Sequence, residues 1–555
     1  MVMLTEYVDL LNLHHLWLSG HGLEQVGSIS GNLRSDSRQV NSGDVFVAIK
    51  GLVTNGHQYI AQAVAKQAAL LIVEEGCQTD IPIIRVSDSR KAAALLAKLY
   101  YNNPTSRFIL IGITGTNGKT SSSQLLWQAL RKLGYKTGWI GTLGYQIEDE
   151  LLPTDNTTPD ILELNEIFSK MVLADCQYVV MEVSSHGLAL DRVYGLEFDL
   201  AVFTNLGHDH LDFHRDLDDY AGSKFLLFEY TAKRGGNCLI NMDDTYGRLF
   251  HQRLVEQYDK DRIFSLSHLQ GDFTISQNYN DLHHSEFALT YDNETTLYKT
   301  SLIGDFNIDN TATALASLFI LLPDLDELKT RRIAAELSGV RGRIEPVPNT
   351  SGIGIYVDYA HTPDALISIL TTLHKLPHKR LLVLFGAGGN RDRSKRPEML
   401  TAVLVFADAT IITDDNPRWE DPAQIIKEIV ADTDLWKPWW IIRHRREAIN
   451  SLIRLAIPGD IVLIAGKGHE TYQEICGVRH HFDDVECVKE AFQTSRDKQD
   501  LVLAIDSLQL ELLYGSSFTG AQDSEGYGSV FFRAVSTDSR TIQSGSLFFA
   551  LQGEY

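Results

Sequence analysis

The segment Phe108-Ile-Leu-Ile-Gly-Ile-Thr-Gly-Thr-Asn-Gly-Lys-Thr120 constrains this chain more than any other. An aliphatic strand runs into a glycine-rich turn and then into a helix expected over Ser121–Leu133. Glycines let backbone N–H groups close around phosphate oxygens, and the helix N-terminus adds positive potential. In that arrangement Lys119 neutralises the terminal phosphates of a nucleoside triphosphate and the Thr120 hydroxyl can hold Mg2+. The general spacing would place a glycine at position 113, which is Ile, while the Gly118-Lys119-Thr120 core is intact. The segment therefore predicts an NTP site made of Gly115, Thr116, Asn117, Gly118, Lys119, Thr120 and Ser121.

Short aliphatic runs alternate with helical stretches on both sides, the pattern of α/β layers with parallel sheets. Strands are expected at Val45–Ile49, Leu70–Val73, Phe108–Ile113, Tyr178–Val183, Leu200–Thr204, Leu381–Phe385, Thr410–Thr413 and Ile461–Ala465. With 555 residues the chain should hold several domains. Tyr101-Asn-Asn-Pro-Thr-Ser106 reads as a linker, and a second boundary is expected before Arg341-Gly-Arg-Ile-Glu345. Expected domains are residues 1–104, 105–340 and 341–493, followed by a partial one over 494–555.

That last expectation comes from an internal repeat. Ser35-Asp-Ser-Arg38, Ser42-Gly-Asp-Val-Phe46 and Gly51 recur as Thr537-Asp-Ser-Arg540, Ser544-Gly-Ser-Leu-Phe548 and Gly553, at a constant offset of 502 residues. A second copy of the N-terminal domain is read as beginning near residue 500 and cut off at Tyr555, with residues 494–555 expected to be loosely held or partner-dependent unless they dock on the main body.

The net charge of -22 excludes long-range attraction to nucleic acid, and no apolar run approaches the length of a membrane span. Small anions would be captured by helix N-termini or local clusters such as Arg391, Arg393, Lys395 and Arg396. The five cysteines form no C-x-x-C pair and read as reduced. Met1–Leu18 lacks the basic start of a signal peptide, so a cytoplasmic protein is expected.

Two further motifs follow strands. Glu182-Val-Ser-Ser-His-Gly187 places a carboxylate at a strand's C-terminal end, where α/β sheets bind ligands, and Glu182 suits Mg2+. Thr204-Asn-Leu-Gly-His-Asp-His-Leu-Asp-Phe-His214 clusters histidines and aspartates, a candidate metal or phosphate site in which His210 is the preferred residue.

Together with Asp358-Tyr-Ala-His-Thr-Pro-Asp364 and Asp415-Asn-Pro-Arg418, these motifs resemble the Mur ligases in family order over about residues 25–490. The resemblance implies three domains: an N-terminal UDP-binding α/β domain, a central P-loop ATPase domain with a parallel sheet, and a C-terminal Rossmann-like domain. It implies an ATP-dependent ligase that adds meso-diaminopimelate to the D-Glu of UDP-MurNAc-L-Ala-D-Glu through an acyl phosphate, with ATP and Mg2+. By resemblance Lys224 is a carbamylated metal ligand beside Thr120, Glu182 and His210, and the catalytic set is Lys119, Glu182, His210 and Lys224. From the residues alone Lys224 reads as a solvated helix lysine.

The family pattern also assigns Asn307, Arg343 and Asp358 to the nucleotide, the alternative being that Arg343 and Asp358 simply pair across the domain junction. Ser35 and Ser37 match the uridine end, and Asn156, Thr157, Thr158, Ser184 and Arg192 match the peptide and sugar. The amino-acid pocket by resemblance is Arg391, Asp415, Asn416, Pro417, Arg418, Gly466 and Glu470. Arg418 carries the choice of substrate, because meso-diaminopimelate differs from lysine by a distal carboxylate that a planar guanidinium binds through two parallel hydrogen bonds. The chain departs from the family in having Gly388-Gly-Asn-Arg-Asp392 where relatives often have Asp in third place, and Leu190 where some carry Gln. The C-terminal repeat is similar to the start of MurF, the ligase of the following step, which implies a fusion or association with it. Other readings are an L-lysine-adding ligase, a folylpolyglutamate synthetase, and a P-loop ATPase switch or sensor of the precursor.

Overall fold

The computed structural model describes residues 2–51, 54–154, 156–207, 210, 213–281, 284–431 and 438–495, with short strands at 503–505, 530–532, 534–536 and 546–548. The rest of the C-terminal repeat lies outside the described residues, as do His208, Asp209 and Asp212 of the histidine cluster. The chain forms two compact units. The first comprises Met1–Tyr279, Glu286–Thr300 and Phe306–Leu337; the second comprises Asn280–Ser285, Ser301–Asp305 and Ser338–Tyr555.

The first unit contains a five-stranded sheet in the order Trp17–His21, Ile83–Val86, Leu70–Val73, Val45–Val47, Leu33–Arg34, parallel except for its first pair. It also contains an eleven-stranded sheet centred on the strand Ile109–Thr114. Tyr178–Glu182 pairs with that strand on one side and Leu200–Phe203 on the other, both in parallel. All three strands are buried on both faces apart from Ile109, which is why they read as unbroken aliphatic runs rather than alternating ones. Parallel pairing brings their C-terminal ends to one edge, where the glycine turn, Glu182 and Thr204 emerge together.

The helix after the glycine turn begins at Lys119, two residues earlier than the sequence predicts, because Gly118 adopts a left-handed conformation (φ 83°) that turns the chain directly into it. The helix Leu217–Lys233 is capped by Asp216, whose side chain accepts from the Asp219 N–H. Tyr220, Ala221, Lys224, Phe225, Phe228 and Thr231 recur at helical spacing along its buried face, so Lys224 sits on the stripe that packs inward.

The second unit holds a six-stranded sheet in the order Glu345–Pro346, Gly354–Asp358, Ile461–Ala465, Leu381–Phe385, Ala409–Ile412, Trp439–Ile441, parallel after its first, antiparallel pair. Strands at Phe273–Asn280, Ser285–Tyr291 and Glu294–Thr300 complete one edge of the large sheet of the first unit and were not expected from sequence.

Candidate functional site

The phosphate loop is held from the neighbouring strand end. Asn205 accepts from Asn117 N–H through Oδ1 at 2.9 Å and from Thr116 N–H through its carbonyl at 2.8 Å. The Thr204 hydroxyl donates to the Asn117 carbonyl at 2.7 Å. A Cβ on Gly115 would lie 1.9 Å from Thr204 Oγ1, and one on Gly118 would lie 2.8 Å from Asn310 Oδ1, so close packing excludes a side chain at Gly115 and crowds one at Gly118. Lys119 folds back over its own loop, its Nζ donating to the Gly115 and Thr116 carbonyls at 2.9 and 2.8 Å. An incoming phosphate would draw this ammonium from carbonyls to charged oxygens, a stronger charge-assisted contact.

Glu182 is fully buried, and its carboxylate accepts from Thr120 Oγ1 (2.9 Å), Thr142 Oγ1 (3.1 Å) and the Thr142 N–H (2.9 Å). Thr142 had no signal in the sequence beyond following a strand. Lys224 is 1% exposed rather than solvated; its Nζ donates to the Gly115 carbonyl at 2.8 Å and lies 4.4 Å from the Tyr220 ring centre. Lys119 and Lys224 thus both meet the Gly115 carbonyl. His210 has a left-handed backbone (φ 55°), and its ring packs edge-on to His186 at 4.9 Å and to Tyr220 at 6.0 Å.

Among the described residues no group of three or more His, Cys, Asp or Glu gathers as a metal cage. Mg2+ seldom uses such cages, and takes one or two carboxylates together with substrate phosphates. The Thr120 hydroxyl on the buried Glu182 carboxylate, at the mouth of a phosphate loop, is a hard-oxygen donor set that fits it.

Of the other sequence-expected residues of the first unit, Thr157, Thr158, Ser184 and Arg192 gather around Glu182 and Thr142. Thr158 Oγ1 donates to the Glu182 carbonyl at 3.0 Å and accepts from the Ser184 N–H at 3.0 Å, while Arg192 Nη1 donates to the Thr158 carbonyl at 2.8 Å. Thr157 Oγ1 is 3.2 Å from Thr142 Oγ1. Ser35 Oγ lies 3.5 Å from Asp160, the cap of the following helix, whereas Ser37 points to Gln62 at 2.8 Å and Asn156 is exposed. Asn307 and Asn310 are buried, and Asn310 accepts from Ser122 Oγ at 3.0 Å.

In the second unit the site residues again emerge from the C-terminal ends of parallel strands. Asp358 accepts from the Ile344 and Ala360 N–H groups, both at 2.7 Å, and Arg343 lies 5.6 Å from the Tyr359 ring centre. Backbone donors, rather than a pairing with Arg343, therefore hold Asp358. Burial pushes its carboxyl above the usual range.

The Asp415-Asn-Pro-Arg418 loop is fixed from beneath. Asn416 donates to Glu470 Oε2 at 2.7 Å and accepts from the fully buried Lys467 at 3.0 Å and from the Glu474 N–H at 2.9 Å. Arg418 is left-handed (φ 53°), and its Nη1 donates to the Gly389 carbonyl at 2.7 Å, which sets the plane of the guanidinium. Asp415 Oδ2 is buried, accepts no hydrogen bond among the described residues, and lies 3.9 Å from Arg445 Nη1. A Cβ on Gly466 would come within 2.5 Å of that oxygen. Burial pushes the Glu470 carboxyl up, reinforced by Asp415. Lys467 and Arg445 went unnoticed in the sequence, although Lys467 adjoins Gly466.

The departure at Asn390 has a plain reason. The position is left-handed (φ 53°), which Asn and Asp both tolerate, and the Asn390 Oδ1 accepts from the Trp419 N–H at 3.0 Å as a carboxylate would. Arg391, next to it, is exposed.

Three family models match consecutive segments: "Mur ligase family, catalytic domain" over residues 31–101, "Mur ligase middle domain" over 113–318, and "Mur ligase, glutamate ligase domain" over 342–468. A protein from Clostridium perfringens named UDP-N-acetylmuramoyl-L-alanyl-D-glutamate--2,6-diaminopimelate ligase is 39% identical over 464 residues, covering 82% of this chain and 94% of its own. One of the same name from Bacteroides thetaiotaomicron is likewise 39% identical over 464 residues, with the same coverage.

The chain belongs to the Mur ligase family.

A solved structure of a ligase of that same name is similar with a TM-score of 0.67 at 31% identity, covering 88% of this chain and 99% of that one. A Mur ligase structure from Thermotoga maritima, MurF in complex with ADP, shares the fold at 19% identity and a TM-score of 0.51, covering 84% of this chain and 98% of its own. The Mur ligase three-domain α/β architecture and ATP-dependent amide-bond formation follow from this membership.

Proposed function

We propose that this chain joins meso-diaminopimelate to the D-Glu γ-carboxylate of UDP-MurNAc-L-Ala-D-Glu at the expense of ATP. The observation that carries the substrate choice is Arg418, whose guanidinium is fixed by the Gly389 carbonyl in the D-N-P-R loop. One distal end of meso-diaminopimelate offers both an ammonium and a carboxylate, which Asp415 and Arg418 complement; lysine offers only the ammonium.

A carboxylate does not react with an amine unaided, because its oxygen is a poor leaving group. Its oxygen attacks the γ-phosphorus of ATP, the bond to the bridging oxygen breaks, and ADP leaves. The amine nitrogen then attacks the acyl carbon, phosphate departs with the former carboxylate oxygen, and the amine proton is lost. The loop amides of residues 115–120 and Lys119 hold the phosphates and offset the meeting of two anions. Thr120 and Glu182 would hold one Mg2+, and His210 with carbamylated Lys224 a second, and the ions would supply further charge neutralisation there. Carbamylation of Lys224 would convert a buried cation into a carboxylate-like anion suited to that role.

Within this reading residues 1–104 serve the UDP-sugar end through Ser35 and Ser37, 105–340 the nucleotide and 341–493 the amino acid. Asn156, Thr157, Thr158, Ser184 and Arg192 face the sugar and peptide, and Asn307, Arg343 and Asp358 the nucleotide. We place the protein in the cytoplasm, where its nucleotide substrates are made, and expect the following ligase, MurF, as a fused or associated partner.

Mass spectrometry of the products tests the reaction. Equal amounts of ADP, phosphate and a tripeptide-linked nucleotide support it; ADP and phosphate without the amide refute it and favour an ATPase switch.

A further inference from the structure

The strands after residue 500 repeat the pairing of the chain's first residues. Near the N-terminus Val2 faces Ile29 and Met3 faces Ser28 in an antiparallel pair. Shifted by 502 positions these become Ala504 with Phe531 and Ile505 with Val530, which are partners in an antiparallel pair. Leu33 faces Val45 and Arg34 faces Phe46 in a parallel pair. The same shift gives Val535 with Leu547 and Ser536 with Phe548, which are partners in a parallel pair. Direction and register agree at all four positions.

The offset is the one at which Asp36-Ser-Arg38, Ser42-Gly43, Phe46, Ala48 and Gly51 recur as Asp538-Ser-Arg540, Ser544-Gly545, Phe548, Ala550 and Gly553. Register is a stringent criterion, since a slip of one residue exchanges the two faces of a strand. Parallel pairing of strands only nine residues apart is also unlike a hairpin, which would place them antiparallel. Sequence identity and backbone pairing are separate observations, and they select the same alignment.

We propose that the strands within residues 503–548 are the opening of a second domain built like the first. The ligand class follows from the first copy and rests on the proposed function: a ligand bearing a uridine nucleotide. The product of the first ligation keeps its UDP end, so the reaction served is one that consumes this product, by extending the same nucleotide-linked peptide.

Hydrogen exchange on the full chain tests the fold. Amides in the four strands should exchange at least tenfold more slowly than in an unstructured peptide of the same sequence, and exchange at the peptide rate would overturn the proposal. Register is tested by cysteine pairs in a Cys77→Ser, Cys476→Ser background. The pairs Ala504→Cys with Phe531→Cys, and Val535→Cys with Leu547→Cys, should oxidise at least tenfold faster than the slipped pairs Ala504→Cys with Phe532→Cys and Val535→Cys with Ser546→Cys. Equal rates would reject the shared register. Neither measurement depends on ligation, so a chain that failed to make the amide yet passed both would lose the proposed function and keep the second domain.

Discussion

The Thr120 hydroxyl donates to Glu182 Oε2 across 2.9 Å, joining the first turn of the phosphate-loop helix to the end of the adjacent parallel strand. A fully buried carboxylate is costly unless satisfied, and here three donors meet it. Glu182→Gln should keep the fold, since an amide oxygen can still accept from Thr142, and should lower kcat by about a hundredfold or more. Steady-state phosphate release and a thermal melt of the same preparation separate the two effects.

Lys224→Ala should remove most activity. If the lysine acts as a carbamate, stripping dissolved CO2 should lower native activity reversibly, and 13CO2 should give a carbamate carbon resonance absent from the Lys224→Ala protein. Activity indifferent to CO2, with no such resonance, would leave Lys224 acting as a cation on the Gly115 carbonyl.

Arg418→Ala should raise the KM for meso-diaminopimelate by roughly 10- to 100-fold, the worth of a charge-assisted bidentate contact, while the KM for ATP stays within about twofold. Arg418→Lys should recover only part of the loss, because a point charge lacks the planar fork. Initial-rate kinetics with each substrate varied would decide it.

His469 sets a pH dependence of stability. Burial first, then Arg343 and Arg341, hold its imidazole down to about 4. Its contribution is fully present above the unfolded value of about 6.5 and is lost as pH falls toward 4, because the unfolded chain takes up a proton that the folded one refuses. Between pH 7 and pH 5 the loss is about 2 kcal/mol. The carboxyls of Asp358, Asp414 and Glu470, pushed up by burial, titrate in the opposite sense. The check is therefore the difference between native and His469→Gln denaturation curves, which should shrink as pH falls through this window.

The parallel strands were legible because burial on both faces leaves unbroken aliphatic runs: Leu381–Phe385 and Ile461–Ala465 match residue for residue. The strands Phe273–Asn280 and Glu294–Thr300, towards one edge of the large sheet, were not, since partial exposure mixes Thr, Asn and Lys into them. At the candidate site, the residues proposed from sequence are those carried by motifs, while the residues that hold the motifs in place were missed. Asn205, Thr142, Lys467 and Arg445 act through contacts distant in sequence: Thr142 meets Glu182 and Lys467 meets Asn416 only once the sheets have formed. Lys224 shows the limit from the other side. Its lysine identity suggests solvent, and only the spacing of Tyr220, Phe225 and Phe228 along its helix could have placed it inward.

The central claim is tested most directly by phosphate release from ATP with UDP-MurNAc-L-Ala-D-Glu present, comparing meso-diaminopimelate, L-lysine and no amino acid. Release with meso-diaminopimelate, at least a hundredfold above the other two, is the predicted result. Equal release with lysine would contradict the assignment of Arg418, and release indifferent to any amino acid would contradict the ligase itself.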